Sequence, residues 1–390
     1  MKGAKLTINL LALQNNAKYL VDNIKRNSTE NNNGVIAMVK NNAYNLGLCE
    51  AVESFYDGGI RFFATTSIKE CKAIRDMYSD VHILCVNPNT EFDFIREYGI
   101  TATLPSFEYI QENHEKMKDI SWHIEWAGHM RRSGCRSETE LRNILEFAKS
   151  KGIEIEGLWT HFSWADTFDE EKTYEKERDE WIALLKNITK DYSFKYIHSQ
   201  NSASFSRDGI LPNHTHIRPG ILLYGYYPHD RYENDKITPS IELSGEVISI
   251  IKLSAGESIG YCSSFVPTED TLVAVVNLGY GDGLLRKRGI GHDVIINDKK
   301  YKLVSFMMSH TVVKIDEYVH MEDSFDASEK IIRVNIENSD VKIGNTVYYY
   351  NKELPLHEFT KKGVGSCSEQ MSPLNYSTLE VEYIGNAKLG

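Results

Sequence analysis

The sequence lacks paired cysteines. Its six, Cys49, Cys71, Cys85, Cys135, Cys262 and Cys367, are scattered with no C-x-x-C. That argues against a structural zinc site or a disulfide framework and for reduced thiols. Basic charge is also short: 44 Lys and Arg stand against 55 Asp and Glu, a net charge of −11. Nucleic-acid affinity rests on basic patches, so no nucleic-acid partner is expected. No run reaches the ~18 apolar residues of a membrane span, and the one in MKGAKLTINLLALQNN is too short for a signal-peptide core. Histidines 123, 129, 161, 198, 214 and 216 show no H-E-x-x-H spacing, so no metal is expected. What remains is a soluble, cytoplasmic protein of ordinary composition, 41% hydrophobic and 25% charged. At 390 residues it has room for two domains.

Short apolar runs alternate with helical spacing from residue 35 onward. The predicted strands are VIAMVK (35–40), RFFATT (61–66), VHILCV (81–86), TATL (101–104), SWHIEW (121–126), IEGLWTHF (155–162), FKYIHS (194–199) and HIRPG (216–220). Segments such as SIKECKAIRDMY and ETELRNILEFAKSKG fall between them. Near-continuous apolar strands are those of a parallel sheet. Eight strand-then-helix units predict a (β/α)8 TIM barrel over 11–237, with an open doubly wound sheet as the alternative. After KITPS, near residue 238, the texture changes. IELSGEVISIIKL, TLVAVVNLGYGDG, VIINDKKYKLVSFMM, KIIRVNI and VKIGNTVYYYNK are strand-like runs split by Gly, Asn and Asp. They predict an all-β, barrel-like domain over 238–390, which a strand from residues 1–10 is expected to join.

Barrel active sites lie at the carboxyl ends of the strands. Lys40 ends the first predicted strand, and Arg132 follows the fifth. His161 and His198 fall near the ends of the sixth and seventh, and Arg218 near the end of the eighth. Each alone reads as a strand-end side chain meeting solvent. Five at one mouth read as a site.

These residues lie in segments that resemble, in order and over nearly the whole chain, the alanine racemases, fold-type III enzymes that use pyridoxal phosphate. MVKNNAYNLG resembles the family's V-V-K-A-N-A-Y-G-H-G, and HIEWAGHMRRSG its Met-x-Arg-x-Gly segment. GLWTHFSWAD resembles T-H-F-x-x-A-D, IHSQNSAS resembles H-x-x-N-S-A, and IRPGILLYG resembles R-P-G-I-x-x-Y-G. ESIGYCSSF and NLGYGDG are similar to its S-Y-G and G-Y-x-D-G segments.

The resemblance implies an isomerase with pyridoxal 5′-phosphate as cofactor. Lys40 would hold the cofactor and act as one acid/base, since a partly desolvated amine is neutral enough to attack an aldehyde. Tyr44, Ser202, Gly220 and Ile221 would lie at its phosphate, with Asn201 beside them. Tyr376, in the loosely matching NYSTLE, would join them. Arg218 would face the pyridine nitrogen, buttressed by His161. Tyr280 would be the second acid/base, supplied in the family by the other subunit of a homodimer with shared active sites. Met308, in FMMSH, would meet the substrate, and Arg132 the substrate carboxylate or the cofactor's phenolic oxygen. Without the resemblance, Tyr280 reads as a turn residue, Met308 as core, and His198 and Asn201 as caps on backbone groups.

The chain also departs from the family pattern. Many members carry a carbamylated lysine two residues before Asp-Thr-Gly-Met; here those positions read Glu125 and AGHM, so Ala127 replaces the aspartate. Asn45 and Leu46 replace Gly-His, and MSH replaces Met-Asp-Gln at residues 308–310. Racemisation of L-alanine to D-alanine is the leading expectation. Serine or another amino acid as substrate, or a fold-type III decarboxylase, are the alternatives. A non-catalytic pyridoxal-phosphate carrier would not need Tyr280. A sugar-processing barrel would use paired carboxylates such as Glu125 and Asp166 and leave Lys40 and Arg218 without a role.

Overall fold

A computed structural model describes residues 3–27, 34–232, 235–320, 332–333, 339–360 and 366–385. The chain divides into two compact units, Leu13–Thr238 and Met1–Ala12 with Pro239–Gly390.

Strand β1 (Lys5–Asn9) belongs to the second unit; the first holds the next eight. These are β2 (Gly34–Met38), β3 (Phe62–Thr65), β4 (His82–Cys85), β5 (Thr101–Leu104), β6 (Trp122–Glu125), β7 (Ile155–Trp159), β8 (Tyr196–His198) and β9 (His216–Ile217). All eight pair in parallel, in the order β8-β7-β6-β5-β4-β3-β2-β9. Backbone bonds from Thr215 N–H to Ile197 O (2.9 Å) and from Arg218 N–H to Gln200 O (2.7 Å) join the two edges. This is a TIM-like barrel. The strands read as unbroken apolar runs because both faces are covered; β3, β5 and β6 are buried at every position.

Helix Glu138–Lys151 shows how local sequence sets an element's bounds. The Ser137 hydroxyl accepts the Glu140 N–H at its start, acids occupy the first turn and lysines the last. Gly152, at φ 67°, ends it in the left-handed conformation. Inside the barrel Ile36, Phe62, Ala64, Leu84 and Tyr196 form one cluster. Burying a side chain of Phe size contributes roughly 1.5–3 kcal/mol.

Some strands are shorter than their apolar runs. VIAMVK leaves the sheet at Met38, so Lys40 lies two residues past the strand instead of ending it. IEGLWTHF stops at Trp159, which leaves His161 in the following loop.

In the second unit β10 (Ile241–Leu253) covers the whole of IELSGEVISIIKL. It is followed by β11 (Thr271–Val276), β12 (Asp293–Ile296), β13 (Lys299–Phe306), β14 (Thr311–His320), β15 (Ile332–Arg333), β16 (Thr346–Tyr350) and β17 (Glu380–Ile384). VIINDKKYKLVSFMM is a hairpin whose turn, Asn297–Asp298, has φ of 49° and 60°, the geometry that suits tight hairpins. Of KIIRVNI, only Ile332–Arg333 fall among the described residues. The sheet runs β11-β14-β13-β12-β16-β10-β1-β17 and closes through β10 and β11. β1 is antiparallel to β10 and parallel to β17. Short helices at Arg286–Gly289, Leu356–Thr360 and Cys367–Met371 interrupt an otherwise β unit.

Candidate active site

Lys40 opens an unusual turn. Asn41, Asn42, Ala43, Tyr44 and Asn45 all have positive φ, between 53° and 68°. A left-handed residue costs about 1–2 kcal/mol, least for Asn, so this segment is held against its own preference. Ala43 N–H bonds Val39 O (3.0 Å), Leu46 N–H bonds Asn42 O (3.0 Å), and Leu48 N–H bonds the Asn42 side-chain oxygen (2.9 Å). Glu70 accepts the Asn42 N–H at 2.7 Å. The Lys40 ammonium sits 5.9 Å from the centre of the Tyr44 ring. Burial, then Arg132, then Arg218 lower its pKa, which favours the neutral amine.

Arg218, 3% exposed, follows β9. It donates to His198 Nδ1 (2.6 Å) and to the carbonyls of His198 (2.9 Å) and Thr160 (2.6 Å). His161 Nδ1 lies 3.3 Å from its other terminal nitrogen, and its guanidinium stands 4.9 Å from the centre of the Trp159 ring. Desolvation lowers Arg218 to about 9, still cationic at neutral pH. A guanidinium only donates, so His198 Nδ1 accepts and its proton is on Nε2. That proton faces His123 Nδ1 at 2.9 Å. Gly157 makes room for His123, since a Cβ there would lie 2.6 Å from its ring. Burial, reinforced by Arg218, holds His161 at about 3 and His198 well below the imidazole range.

Glu125, at the end of β6, is 3% exposed. It pairs with Arg132 at 3.2 Å and accepts the Ser133 hydroxyl. Arg132 keeps about half its side chain in solvent, 52%. It therefore reaches outward from an anchored carboxylate.

A third cluster gathers around Ser202 and Gly220. Ser202 Oγ accepts the N–H groups of Gly220 (3.1 Å) and Leu222 (3.3 Å). Asn201 caps the helix Ser202–Asp208 by accepting the Ser204 N–H (2.9 Å). A Cβ on Gly220 would lie 2.3 Å from the Tyr44 hydroxyl, so only glycine leaves that phenol its place. The Tyr44 ring packs 4.7 Å from Tyr224, and burial raises its phenol above the usual range. The hydroxyls of Tyr44 and Ser202 thus converge beside Gly220, two O–H donors of the kind that suit a phosphate monoester. Ile221 lies between Gly220 and Leu222 on this segment.

The second unit gathers three expected residues by itself. Tyr280, 37% exposed, sits in a tight turn whose N–H groups at 280 and 281 bond the carbonyls of Met307 (3.2 Å) and Met308 (2.7 Å). Met308 is 57% exposed. Asn375, next to Tyr376, donates to the carbonyls of Gly281 (3.0 Å) and Asp282 (3.1 Å).

Glu70, Thr160, His123 and the role of His198 were not read from the sequence. His123 and His198 are 75 positions apart, and only barrel closure brings them together. Among the described residues no group of three His, Cys, Asp or Glu could hold a metal ion, and no helix is long and apolar enough to cross a membrane.

The barrel thus carries a desolvated lysine, a cluster of hydroxyls beside Gly220 and a buried arginine seated on imidazole. Residues 8–228 match the model of the alanine racemase N-terminal domain, and residues 240–350 that of the C-terminal domain. Alanine racemase 2 of Staphylococcus aureus (strain COL) is 38% identical over 366 residues, 92% of this chain and 95% of the relative. Alanine racemase of Helicobacter pylori (strain J99) is 31% identical over 304 residues, 73% and 79% of the two chains. In fold, the biosynthetic alanine racemase of Pseudomonas aeruginosa superposes with a TM-score of 0.83 at 20% identity, covering 98% of this chain and all of that one. Alanine racemase from E. faecalis gives 0.81 at 23%, covering 98% of each. The chain belongs to the alanine racemase family. It is an isomerase, an amino-acid racemase that depends on pyridoxal 5′-phosphate.

Proposed function

We propose that this protein interconverts L- and D-alanine, with Lys40 and Tyr280 as the two acid/bases. The observation that carries the reading is the placement of Lys40. It is desolvated, flanked by Arg132 and Arg218, and followed by the turn that presents Tyr44 to Ser202 and Gly220. Bound there, pyridoxal phosphate supplies the electron withdrawal that loosens the substrate's Cα proton.

The chain's own residues do the rest. Lys40 holds the cofactor and moves a proton on one face of Cα. Tyr44, Asn201, Ser202, Gly220, Ile221 and Tyr376 secure the phosphate. Arg218 stays protonated at the pyridine end, held by His161 and His198, and so donates a hydrogen bond without handing over a proton. That limits electron withdrawal and favours return of the proton over side reactions. Glu125 anchors Arg132 toward the substrate carboxylate, which the N–H of the partner's Met308 also meets, since Met308 lies against the Tyr280 turn. Tyr280 of the partner subunit serves the opposite face, in a cytoplasmic homodimer with shared sites.

The purified protein with pyridoxal phosphate should convert L-alanine to an equal mixture of enantiomers, read by a D-amino-acid-specific oxidase assay. L-Serine run in parallel tests the substrate. A serine rate above the alanine rate, or release of CO2, overturns the assignment.

A further inference from the structure

The Lys40 turn is tethered to the barrel by one carboxylate. Thr65, fully buried, closes β3, and Glu70 stands in the first turn of the helix Ile68–Met77. One Glu70 oxygen accepts the Asn42 N–H at 2.7 Å, and the other accepts the Thr65 hydroxyl. The tethered segment contains five of the 13 non-glycine residues with positive φ among those described, in one unbroken run. Such a run relaxes toward right-handed backbone unless its surroundings over-determine it.

We infer that Glu70 is a positioning residue for the racemase, fixing the left-handed turn so that the Lys40 amine and the Tyr44 hydroxyl are presented together. This rests on the reading of Lys40 as the cofactor lysine. Glu70 touches neither the amine nor the phenol in this structure, and the charged groups that bear on Lys40 are Arg132 and Arg218. Its effect passes through the Asn42 amide. The bond lies between Lys40 and Tyr44, so releasing it frees both ends: the lysine two residues before, and the tyrosine two after. Tyr44 would then lose its seat between the Tyr224 ring and Gly220.

A carboxylate that positions and one that acts by charge predict different variants. Glu70→Gln removes the charge but keeps a carbonyl acceptor for the Asn42 N–H. Glu70→Ala removes both. The purified full-length protein is read by amide hydrogen exchange over residues 40–47, by the pyridoxal phosphate concentration that half-saturates it, and by kcat and KM. Loss of a charge-assisted hydrogen bond corresponds to about tenfold or more. Glu70→Ala should speed exchange in that peptide and raise the half-saturating concentration by at least about tenfold, with kcat falling more than KM rises. Glu70→Gln, which keeps a neutral acceptor, should move each readout several-fold less than Glu70→Ala. Thr65→Val, which removes one anchor of the carboxylate, should move the same readouts in the same direction by less.

Unchanged exchange and cofactor affinity in Glu70→Ala overturn the inference. So does a Glu70→Gln protein as impaired as Glu70→Ala. If Glu70→Ala does not fold, unchanged exchange in Thr65→Val overturns it instead. Borohydride trapping on the wild-type protein separates the two claims: a label away from Lys40 defeats the functional reading, while exchange still reports whether Glu70 orders the turn.

Discussion

Arg218 donates to His198 Nδ1 at 2.6 Å, and His198 in turn faces His123 at 2.9 Å. A buried cation is thus seated on neutral imidazoles, with no carboxylate among the described residues in hydrogen-bond contact. The arrangement requires His198 to stay unprotonated. Burial sees to that for several neighbours as well, with His123 and His161 at about 3 and His214 and His216 at about 4.

These depressed values make the fold sensitive to acid. Between pH 6.5 and about 4 the unfolded chain takes up protons that the folded chain refuses, so stability is present above pH 6.5 and lost below it. Each such histidine contributes a slope of up to about 1.4 kcal/mol per pH unit. Urea unfolding should show the midpoint falling steadily from pH 7 to pH 5. His123→Phe should flatten that dependence. A midpoint constant across the range contradicts the neutral-imidazole assignment.

His198→Leu leaves an Arg218 N–H buried without its partner. An unsatisfied buried donor costs about 1–3 kcal/mol, more when it is charged. The variant should unfold at lower urea and bind pyridoxal phosphate more weakly. Unchanged stability would mean that His198 is not Arg218's support.

Glu125→Gln keeps the shape of the side chain but weakens its hold on Arg132, because an amide replaces a charged acceptor. Loss of ~1.5–3 kcal/mol predicts a rise in KM or fall in kcat of roughly tenfold or more. Wild-type activity should not depend on added bicarbonate, because the carboxylate is permanent. A Glu125→Gln enzyme with wild-type kinetics removes Glu125 from the site.

Tyr280→Phe should abolish racemisation and leave cofactor binding intact. Inversion needs a proton to leave one face of Cα and return to the other, and in the proposed mechanism Lys40 serves only one. The variant should still exchange the Cα hydrogen with deuterated water for a single enantiomer, the one whose hydrogen faces Lys40. Racemisation near the wild-type rate would send the search for a second base to His161.

The sequence made the architecture legible because parallel strands are buried on both faces and read as apolar runs. IELSGEVISIIKL became β10 residue for residue, and Asn297–Asp298 announced its hairpin turn. The Lys40 turn was legible as a motif but not as a conformation, because single asparagines tolerate positive φ while Ala43 and Tyr44 give no hint of it. The supports were not legible at all. Glu70 meets Asn42 across 28 positions and Arg218 meets His198 across 20, and only the closed barrel creates those pairs. Tyr280 and Met308 share one turn cluster because Gly279 lets Met307 and Met308 approach within a Cβ's width, which spacing alone does not reveal.

The most direct measurement is borohydride reduction of the pyridoxal-phosphate-loaded protein followed by peptide mapping. Lys40 as the cofactor lysine requires the reduced cofactor's mass on the peptide containing Lys40 and on no other. A label on any other lysine contradicts it.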